Sequence, residues 1–217
     1  MKSETASTWL IAPVLPVVVV EDEDAALFIA GAFLEAGLRQ IEITLRSRAS
    51  MKALEAVARG FPTMKVAAGT VLEKPQVTAA RDAGATLCVS PGFTPGLAEA
   101  MTAQAMPWIP GTATAGEVMR ACEAGYSLLK FFPAMAAGGP PALQAIASAL
   151  RPARDGNLDF IPTGGVTLAN MVAWKSLGCV PAVGGTWLAR DSLVASRAQE
   201  AIVAATREAL AAWNATV

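Results

Sequence analysis

The chain has 217 residues, of which 53% are hydrophobic and 16% are charged, and its formal net charge is −1. This length suits one domain with a substantial core, and the near-neutral charge without a basic run excludes an electrostatic surface for nucleic acid. The chain contains no histidine, which excludes a Ser-His-Asp triad, a Cys-His pair and a histidine-ligated metal. Acid–base chemistry must therefore come from carboxylates, lysines or the single tyrosine, Tyr126.

The cysteines and the first apolar run indicate a cytoplasmic protein without a membrane span. Three cysteines are present, Cys88, Cys122 and Cys179. They are odd in number and form no C-x-x-C pair, so we expect reduced, buried thiols. The run at 9–20 contains two prolines and is followed by acidic residues, which predicts a strand rather than a signal peptide. The high apolar content favours an oligomer with a buried interface.

Helical patterns that stop at a glycine, each followed by an apolar strand, repeat along the chain. These glycines suit a left-handed helix cap and are Gly37, Gly84, Gly125 and Gly178. Strands are predicted at about 14–20, 40–45, 65–71, 86–90, 107–110, 128–132, 159–163 and 180–184, with helices between them and a closing helix near 192–213. This alternation predicts an α/β fold, a single-domain (β/α)8 TIM barrel over residues 1–217. A doubly wound open sheet remains the alternative, because the pattern does not show closure.

Charged residues interrupt two strands that should be apolar throughout. In the second predicted strand, Glu42, Thr44 and Arg46 share one face by the two-residue period, and in the sixth Lys130 takes the corresponding position. If the apolar faces meet the helices, these charges project into the barrel. A buried ion pair that only neutralises itself is the structural alternative. Such a pair is costly and adds little stability, so we interpret the charges as functional.

Polar and glycine-rich tips follow several other predicted strands. Thr70 ends the third, Pro91 and Gly92 end the fourth, and Pro110 and Gly111 end the fifth. Barrel enzymes place their chemistry at this end of the strands.

Two glycine turns follow the last two strands, at 163–165 before a helix predicted near Thr167, and at 184–186. Paired turns in these positions are typical of a phosphate site.

An amine in apolar surroundings favours its neutral, nucleophilic form. With no histidine available, Lys130 is predicted to attack a ketone or aldehyde and form a Schiff base, and Glu42 is predicted to move the protons. This chemistry requires no metal and no cofactor. The alternative is a phosphate-binding isomerase or synthase in which the two residues act as a non-covalent acid/base pair. A sugar-phosphate sensor that retains the pocket is the non-enzymatic alternative.

Seven segments, in order between Ile41 and Leu188, resemble one family. They are IEITLRS, AAGTVL, VSPGFT, IPGTAT, LLKFFPA, FIPTGGV and VGGTWL. Together they closely resemble the 2-keto-3-deoxy-6-phosphogluconate (KDPG) aldolases. The resemblance implies a cytoplasmic, homotrimeric class I aldolase of sugar-acid catabolism that reversibly cleaves KDPG to pyruvate and glyceraldehyde 3-phosphate. It implies no nucleic-acid or membrane partner.

The resemblance also implies a role for each matching residue. Lys130 would form the Schiff base with the substrate ketone, and Glu42 would be the general acid/base acting through water. The other residues would bind substrate: Arg46 and Thr70 the pyruvyl carboxylate, Pro91 and Phe132 the surroundings of the reacting carbon, Thr163 the chain hydroxyls, and Gly164, Gly165, Gly184 and Thr186 the phosphate.

The family pattern is broken at two places, of which the first concerns packing and the second concerns how the phosphate fits. Ala67 and Ala68 stand where relatives often have a glycine, and Thr186 stands where many have serine. The scaffold also serves 2-keto-4-hydroxyglutarate (KHG) and the galactonate-derived 6-phospho substrate. The hydroxyl of Thr163 favours the gluconate epimer.

Overall fold

The computed structural model describes the backbone of residues 2–215 and the side chains of residues 6–215. The helices are α1 Lys2–Trp9, α2 Glu23–Glu35, α3 Ser50–Gly60, α4 Lys74–Asp82, α5 Pro95–Ala103, α6 Ala115–Glu123, α7 Gly139–Leu150, α8 Met171–Lys175, α9 Asp191–Ala195 and α10 Gln199–Ala215. The strands are β1 Val14–Val18, β2 Gln40–Thr44, β3 Lys65–Gly69, β4 Leu87–Val89, β5 Trp108–Ile109, β6 Gly111–Thr112, β7 Leu128–Phe131, β8 Asp159–Pro162 and β9 Val183–Gly185. No helix of the described chain has the length and apolarity that a membrane span requires.

The strands form curled parallel sheets, which confirms the predicted α/β class with a parallel sheet. One sheet has the order β5-β4-β3-β2-β1-β9 and the other the order β6-β7-β8. A parallel bridge between Thr163 and Gly184 links the end of β8 to β9. The pairs between described strands therefore leave the sheet open, and a closed eight-stranded ring is not among them.

The two sheets divide at Pro110, where the fifth predicted strand ends. Pro110 separates β5 from β6, and proline has no N–H with which to continue a ladder. β5 pairs with β4 on one side, whereas β6 pairs with β7 on the other, with Gly111 opposite Lys130. The strand predicted at 107–110 therefore contains β5 only, and β6 follows Pro110 as a separate strand of the other sheet.

Two apolar clusters pack the two sides of the strands. The larger cluster lies between strands and helices. The smaller one fills the interior of the curl and consists of Leu15, Ala67, Leu87, Val89, Ile109, Leu128 and Ile161 together with Ala6 and Trp9 of α1. Trp9 donates a hydrogen bond from Nε1 to Thr86 Oγ1 at 2.8 Å. Helix α1 thereby covers the N-terminal end of the strands, and the interior apolar cluster forms a floor beneath their C-terminal ends.

Helix ends were predicted well where glycine marks them. Gly37, Gly84, Gly125 and Gly178 all have φ between 66° and 95°, which confirms the left-handed caps. The single closing helix predicted near 192–213 is wrong, because the chain breaks into α9 and α10 at Arg197, whose φ is 52°.

Candidate active site

Lys130 and Glu42 meet inside the curled sheet. The Nζ atom of Lys130 lies 3.1 Å from Oε1 of Glu42, and the side chains are only 7% and 1% exposed. Lys130 comes from β7 and Glu42 from β2, both directly above the apolar floor. The prediction that the two charges share one interior is confirmed. Strand alternation explains it, because the neighbours Leu129 and Phe131 pack in the outer cluster between strands and helices.

The Phe132 ring also lies near the amine of Lys130. The Nζ atom lies 5.4 Å from the centroid of the Phe132 ring, within the range of a cation–π contact. Phe132 is half-buried and lies one residue beyond β7. An aromatic face and a carboxylate therefore flank the amine.

Only one oxygen of the Glu42 carboxylate has a hydrogen-bond partner among the described residues. Oε1 accepts the hydrogen bond from Lys130, whereas Oε2 is buried and accepts none from the described residues. A buried acceptor without a partner is costly, by about 1–3 kcal/mol and more for a charged group. The free lone pairs next to a lysine amine are what a group that accepts and returns protons requires.

Arg46 does not share this interior. β2 ends at Thr44, and Arg46 is exposed two residues beyond it. The prediction that its guanidinium projects into the barrel is therefore wrong, because the strand period does not extend past the end of the strand. Thr44 is buried, and its hydroxyl donates to the Val18 carbonyl at 3.1 Å.

Thr70 follows β3 directly and has a left-handed backbone, with φ of 57°. This conformation is unusual for a residue other than glycine and strained for a β-branched one. Strain of this kind costs of order 1–3 kcal/mol and clusters at functional sites. Thr70 is half-buried at the same edge of the sheet as Glu42 and Lys130.

The turn after β4 is rigid. Trp108 donates from Nε1 to Ser90 Oγ at 2.9 Å, and Ser90 donates to the Gly92 carbonyl at 2.6 Å. The Pro91 carbonyl occupies the space that a side chain at Gly111 would need. Gly111 is therefore a point of close backbone approach. Ser90 was not singled out from the sequence, because a lone serine after a strand gives no signal of this network.

Packing explains most of the glycines in the two turns. The Thr163 hydroxyl fills the side-chain position of Gly184, the Trp187 ring fills that of Gly185, and Met135 would lie 2.8 Å from a Cβ on Gly165. Gly164 and Gly165 also have φ of 101° and 76°. These glycines are thus required by the fold itself, and their proposed part in phosphate binding stays a prediction.

The helix start predicted near Thr167 is wrong. Residues 168–170 form a turn and α8 begins at Met171. The Thr167 amide already donates to Asn170 Oδ1 at 2.8 Å, so it is not free for an anion. Thr186 is exposed on the other turn, and Thr163 is buried beside Gly184.

The loop at 135–141 is an ordinary strand-to-helix turn. Pro140 lies in the first turn of α7. The Ala134 and Met135 amides donate to the Thr163 and Gly164 carbonyls at 2.8 and 3.0 Å. The turn after β7 is therefore tied to the turn after β8 beside the lysine.

Tyr126 is separate from this site. The centroid of its ring lies 5.0 Å from the centroid of the Trp108 ring. Burial raises the pKa of its hydroxyl. It precedes Lys130 by four residues, which is about 13 Å along a strand. Acid–base chemistry beside the lysine therefore falls to Glu42.

Parallel strands bring their C-terminal ends to one edge, so several predicted residues share the edge that holds the buried pair. These are Thr70, Pro91, Phe132, Thr163 and Gly184. A lysine amine beside a half-satisfied carboxylate can attack a carbonyl and have its protons moved by the neighbouring group. Covalent catalysis through Lys130 is the chemistry that this arrangement suits.

The family model that describes "KDPG and KHG aldolase" matches residues 6–205. The "KHG/KDPG aldolase" of Escherichia coli (strain K12) is 37% identical over 209 residues, with 96% of each chain covered. Among solved structures, the KDPG aldolase of Legionella pneumophila, with pyruvate captured as a covalent carbinolamine intermediate, is 33% identical with a TM-score of 0.90, covering 97% of this chain and 100% of that one. The KDPG aldolase of Zymomonas mobilis ZM4 with 3-phosphoglycerate is 37% identical with a TM-score of 0.85, covering 94% of both chains.

The match extends over nearly the whole chain in sequence and in fold, and one of the matched structures holds pyruvate as a covalent carbinolamine. The chain therefore belongs to the KDPG and KHG aldolase family and is a class I aldolase.

Proposed function

We propose that the chain reversibly cleaves KDPG to pyruvate and glyceraldehyde 3-phosphate, with Lys130 as the Schiff-base lysine and Glu42 as the general acid/base. The observation that supports this assignment is the buried 3.1 Å contact between Lys130 Nζ and Glu42 Oε1. The contact places a carboxylate that can accept and return protons within hydrogen-bonding distance of the amine that is proposed to attack the ketone.

The reaction then proceeds in balanced steps. The Lys130 nitrogen bonds to the C2 carbonyl carbon, and the carbonyl oxygen takes a proton to give a carbinolamine. Protonation of that hydroxyl by Glu42 releases water and leaves an iminium ion. Glu42, now a carboxylate, takes the proton of the C4 hydroxyl, and the C3–C4 bond breaks. The electron pair of that bond moves into the iminium to form an enamine while the aldehyde leaves. Glu42 returns a proton to C3, and water hydrolyses the iminium to pyruvate and free Lys130.

The carboxylate of the substrate is proposed to lie between Arg46 and Thr70. Both residues follow neighbouring strands, since β2 pairs with β3, and the exposed Arg46 side chain is free to fold over the edge of the sheet. A guanidinium presents two parallel donors to a carboxylate, which lysine cannot do. The half-buried Pro91 and Phe132 would enclose the pyruvyl carbon.

The phosphate is proposed to lie at the two glycine turns, bound by Gly164, Gly165, Gly184 and Thr186. The exposed Thr186 hydroxyl supports this assignment, because it is the side-chain donor of these turns that reaches solvent. The Zymomonas mobilis relative was solved with the phosphorylated acid 3-phosphoglycerate. A phosphorylated keto acid is thus the proposed substrate class, and pyruvate the second small-molecule partner.

KHG cleavage is the second candidate activity. It is favoured by the name of the Escherichia coli relative, which includes both substrates. Cleavage of the galactonate-derived 6-phospho substrate is the third candidate activity. The buried Thr163 hydroxyl, 3.4 Å from the Ile161 carbonyl, would read a chain hydroxyl of the substrate and favours the gluconate epimer.

We also propose a closed barrel, a homotrimeric assembly and a cytoplasmic location for the chain. The Thr163–Gly184 bridge and the continuous passage of the chain through Pro110 support closure of the two sheets into one (β/α)8 barrel as a single domain. The abundance of apolar residues supports a homotrimer, and the reduced cysteines support a cytoplasmic location. Light scattering on the purified protein tests the trimer.

A coupled assay of pyruvate release from the three substrates tests the proposed function. We expect the largest kcat/KM with KDPG. A larger value with KHG or with the galactonate epimer would reassign the substrate within the family. Release of no pyruvate from any of them, with tight binding retained, would instead favour a sensor.

A further inference from the structure

We infer that Gly69 is a positioning residue for the reaction, because the side chain that it lacks leaves the space in which the Glu42 carboxylate lies. This inference rests on the proposed role of Glu42 as the acid/base group. The sequence reveals only a glycine at the end of a strand, and its function emerges from the contact with Glu42.

The space at Gly69 is filled by the carboxylate. A Cβ built on Gly69 would lie 2.6 Å from Cγ and 2.8 Å from Cδ of Glu42, and closer still to Oε1. Oε1 is the oxygen that accepts the hydrogen bond from Lys130. Any side chain at position 69 would therefore displace the atoms that form the buried pair.

The register shows why this glycine matters to the geometry. Glu42 is paired with Ala67, and Gly69 is paired with Thr44. The Glu42 side chain thus leans across β3 by two residues, about 7 Å along the strand, toward the end where Lys130 lies. Ala67 faces the same interior as part of the apolar floor, so Gly69 continues the interior face of β3.

The backbone cannot yield instead. The Gly69 carbonyl accepts a hydrogen bond from the Leu45 amide at 2.8 Å, and the residue is held in the ladder between β2 and β3. Gly69 is not among the glycines with positive φ, so an alanine could adopt its conformation without strain. Space, and not backbone freedom, is what requires glycine here.

Because the clash falls on the Glu42 side chain from Cγ outward and not on backbone atoms, we expect the Gly69→Ala protein to fold and the carboxylate to move. Misplacement of a catalytic group by about 1 Å costs roughly 100-fold in rate. The expected effect is a fall of about 100-fold in kcat for cleavage. Gly31→Ala, in α2, is the matched control. A Cβ at Gly31 would lie 3.8 Å from the Phe61 ring, which is an ordinary van der Waals distance.

Three measurements separate positioning from general damage. In D2O, the Gly69→Ala enzyme should exchange the methyl protons of pyruvate about 100-fold more slowly, since Glu42 transfers that proton. The extent of borohydride trapping of pyruvate on the protein should remain that of the wild type after long incubation. Gly69→Ala should also cause no further loss in a Glu42→Gln background. Exchange at the wild-type rate, or an equal loss in both backgrounds, would overturn the inference.

A crystal structure of the Gly69→Ala protein decides the geometry independently of the chemistry. The inference requires that the Glu42 carboxylate no longer lie within hydrogen-bonding distance of Lys130 Nζ, and it is wrong if the pair stays intact. Failure of the proposed function would look different. In that case pyruvate and borohydride would leave Lys130 of the wild-type protein unmodified, whatever position Glu42 takes in the variant.

Discussion

Lys130 and Glu42 form an ion pair in which neither side chain is more than 7% exposed. The other ion pairs recorded between described side chains lie at the surface, for example Lys74 with Glu99, whose side chains are 59% and 72% exposed. A surface pair contributes little and costs little, whereas a buried pair pays a large desolvation penalty. A gain in stability therefore does not explain the interior pair, and the proposed role in catalysis is the explanation to be tested.

Replacing both members of the pair tests this explanation. We expect Lys130→Met alone to lower the free energy of unfolding by about 3–5 kcal/mol, because it leaves a buried carboxylate unpaired. The double variant Lys130→Met/Glu42→Leu should regain wild-type stability or exceed it by about 1–4 kcal/mol. Both variants should release no pyruvate. Denaturant unfolding and the cleavage assay provide the two readouts, and a double variant less stable than the single one would contradict the expectation.

The strained backbone at Thr70 predicts a trade between stability and activity. Thr70→Gly should raise the free energy of unfolding by about 1 kcal/mol, because glycine adopts its φ of 57° without the penalty of a Cβ. The cleavage rate should fall, since the hydroxyl proposed to hold the substrate carboxylate is lost. Thr63→Gly is the control, because the φ of this exposed threonine is not positive. That change should lower stability slightly and leave cleavage unaffected.

Phosphate recognition by Thr186 predicts an effect that depends on the substrate. Thr186→Ala should lower kcat/KM for KDPG by roughly 10- to 100-fold, the value of one hydrogen bond to a charged group. The same variant should cleave KHG, which has no phosphate, at the wild-type rate. Since Thr186 is exposed, stability should not change. Equal losses on both substrates would remove Thr186 from the phosphate site.

The buried thiol of Cys88 predicts a dependence of stability on alkaline pH. Desolvation raises the pKa of Cys88 from 9.0 to about 12 in the folded chain. Above pH 9 the unfolded chain therefore loses this proton while the folded chain keeps it, so stability is full below pH 9 and is lost as the pH rises toward 12. The slope reaches about 1.4 kcal/mol per pH unit.

Denaturant unfolding of the wild type and of Cys88→Ala between pH 7 and 11 isolates this contribution. The variant starts from a lower stability because of the cavity, and its curve should fall less steeply above pH 9. Burial also raises the pKa of Tyr126 and Cys179, and these groups are present in both proteins. Parallel curves would show that Cys88 ionises equally in the two states.

The order of the elements was predictable, because strand alternation and glycine caps are local. Strand alternation in the sequences of β2 and β7 also predicted that Glu42 and Lys130 share one interior. The break at Arg197 was not predictable, since nothing in the residue type indicates a φ of 52°. Pro110 was visible in the sequence, and its missing N–H could have predicted that β5 ends before it and that β6 is a separate strand.

Some residues have a role only through a contact with a neighbouring strand, and the sequence alone could not predict that role. Ser90 connects Trp108 to the Gly92 carbonyl, and Gly69 gives room to a carboxylate from the neighbouring strand. Arg46 was misplaced for the opposite reason, because the strand period was extended past Thr44, where β2 ends. The glycines at 164, 165, 184 and 185 signalled anion binding in the sequence, yet packing alone accounts for most of them.

Covalent capture of pyruvate tests the central assignment most directly. The protein would be incubated with pyruvate and borohydride, digested, and mapped by mass spectrometry, with Lys130→Met treated in parallel. The account predicts one reduced pyruvyl adduct, on Lys130, and none in the variant. An adduct on a different lysine, or an unmodified chain that still cleaves KDPG, would contradict it.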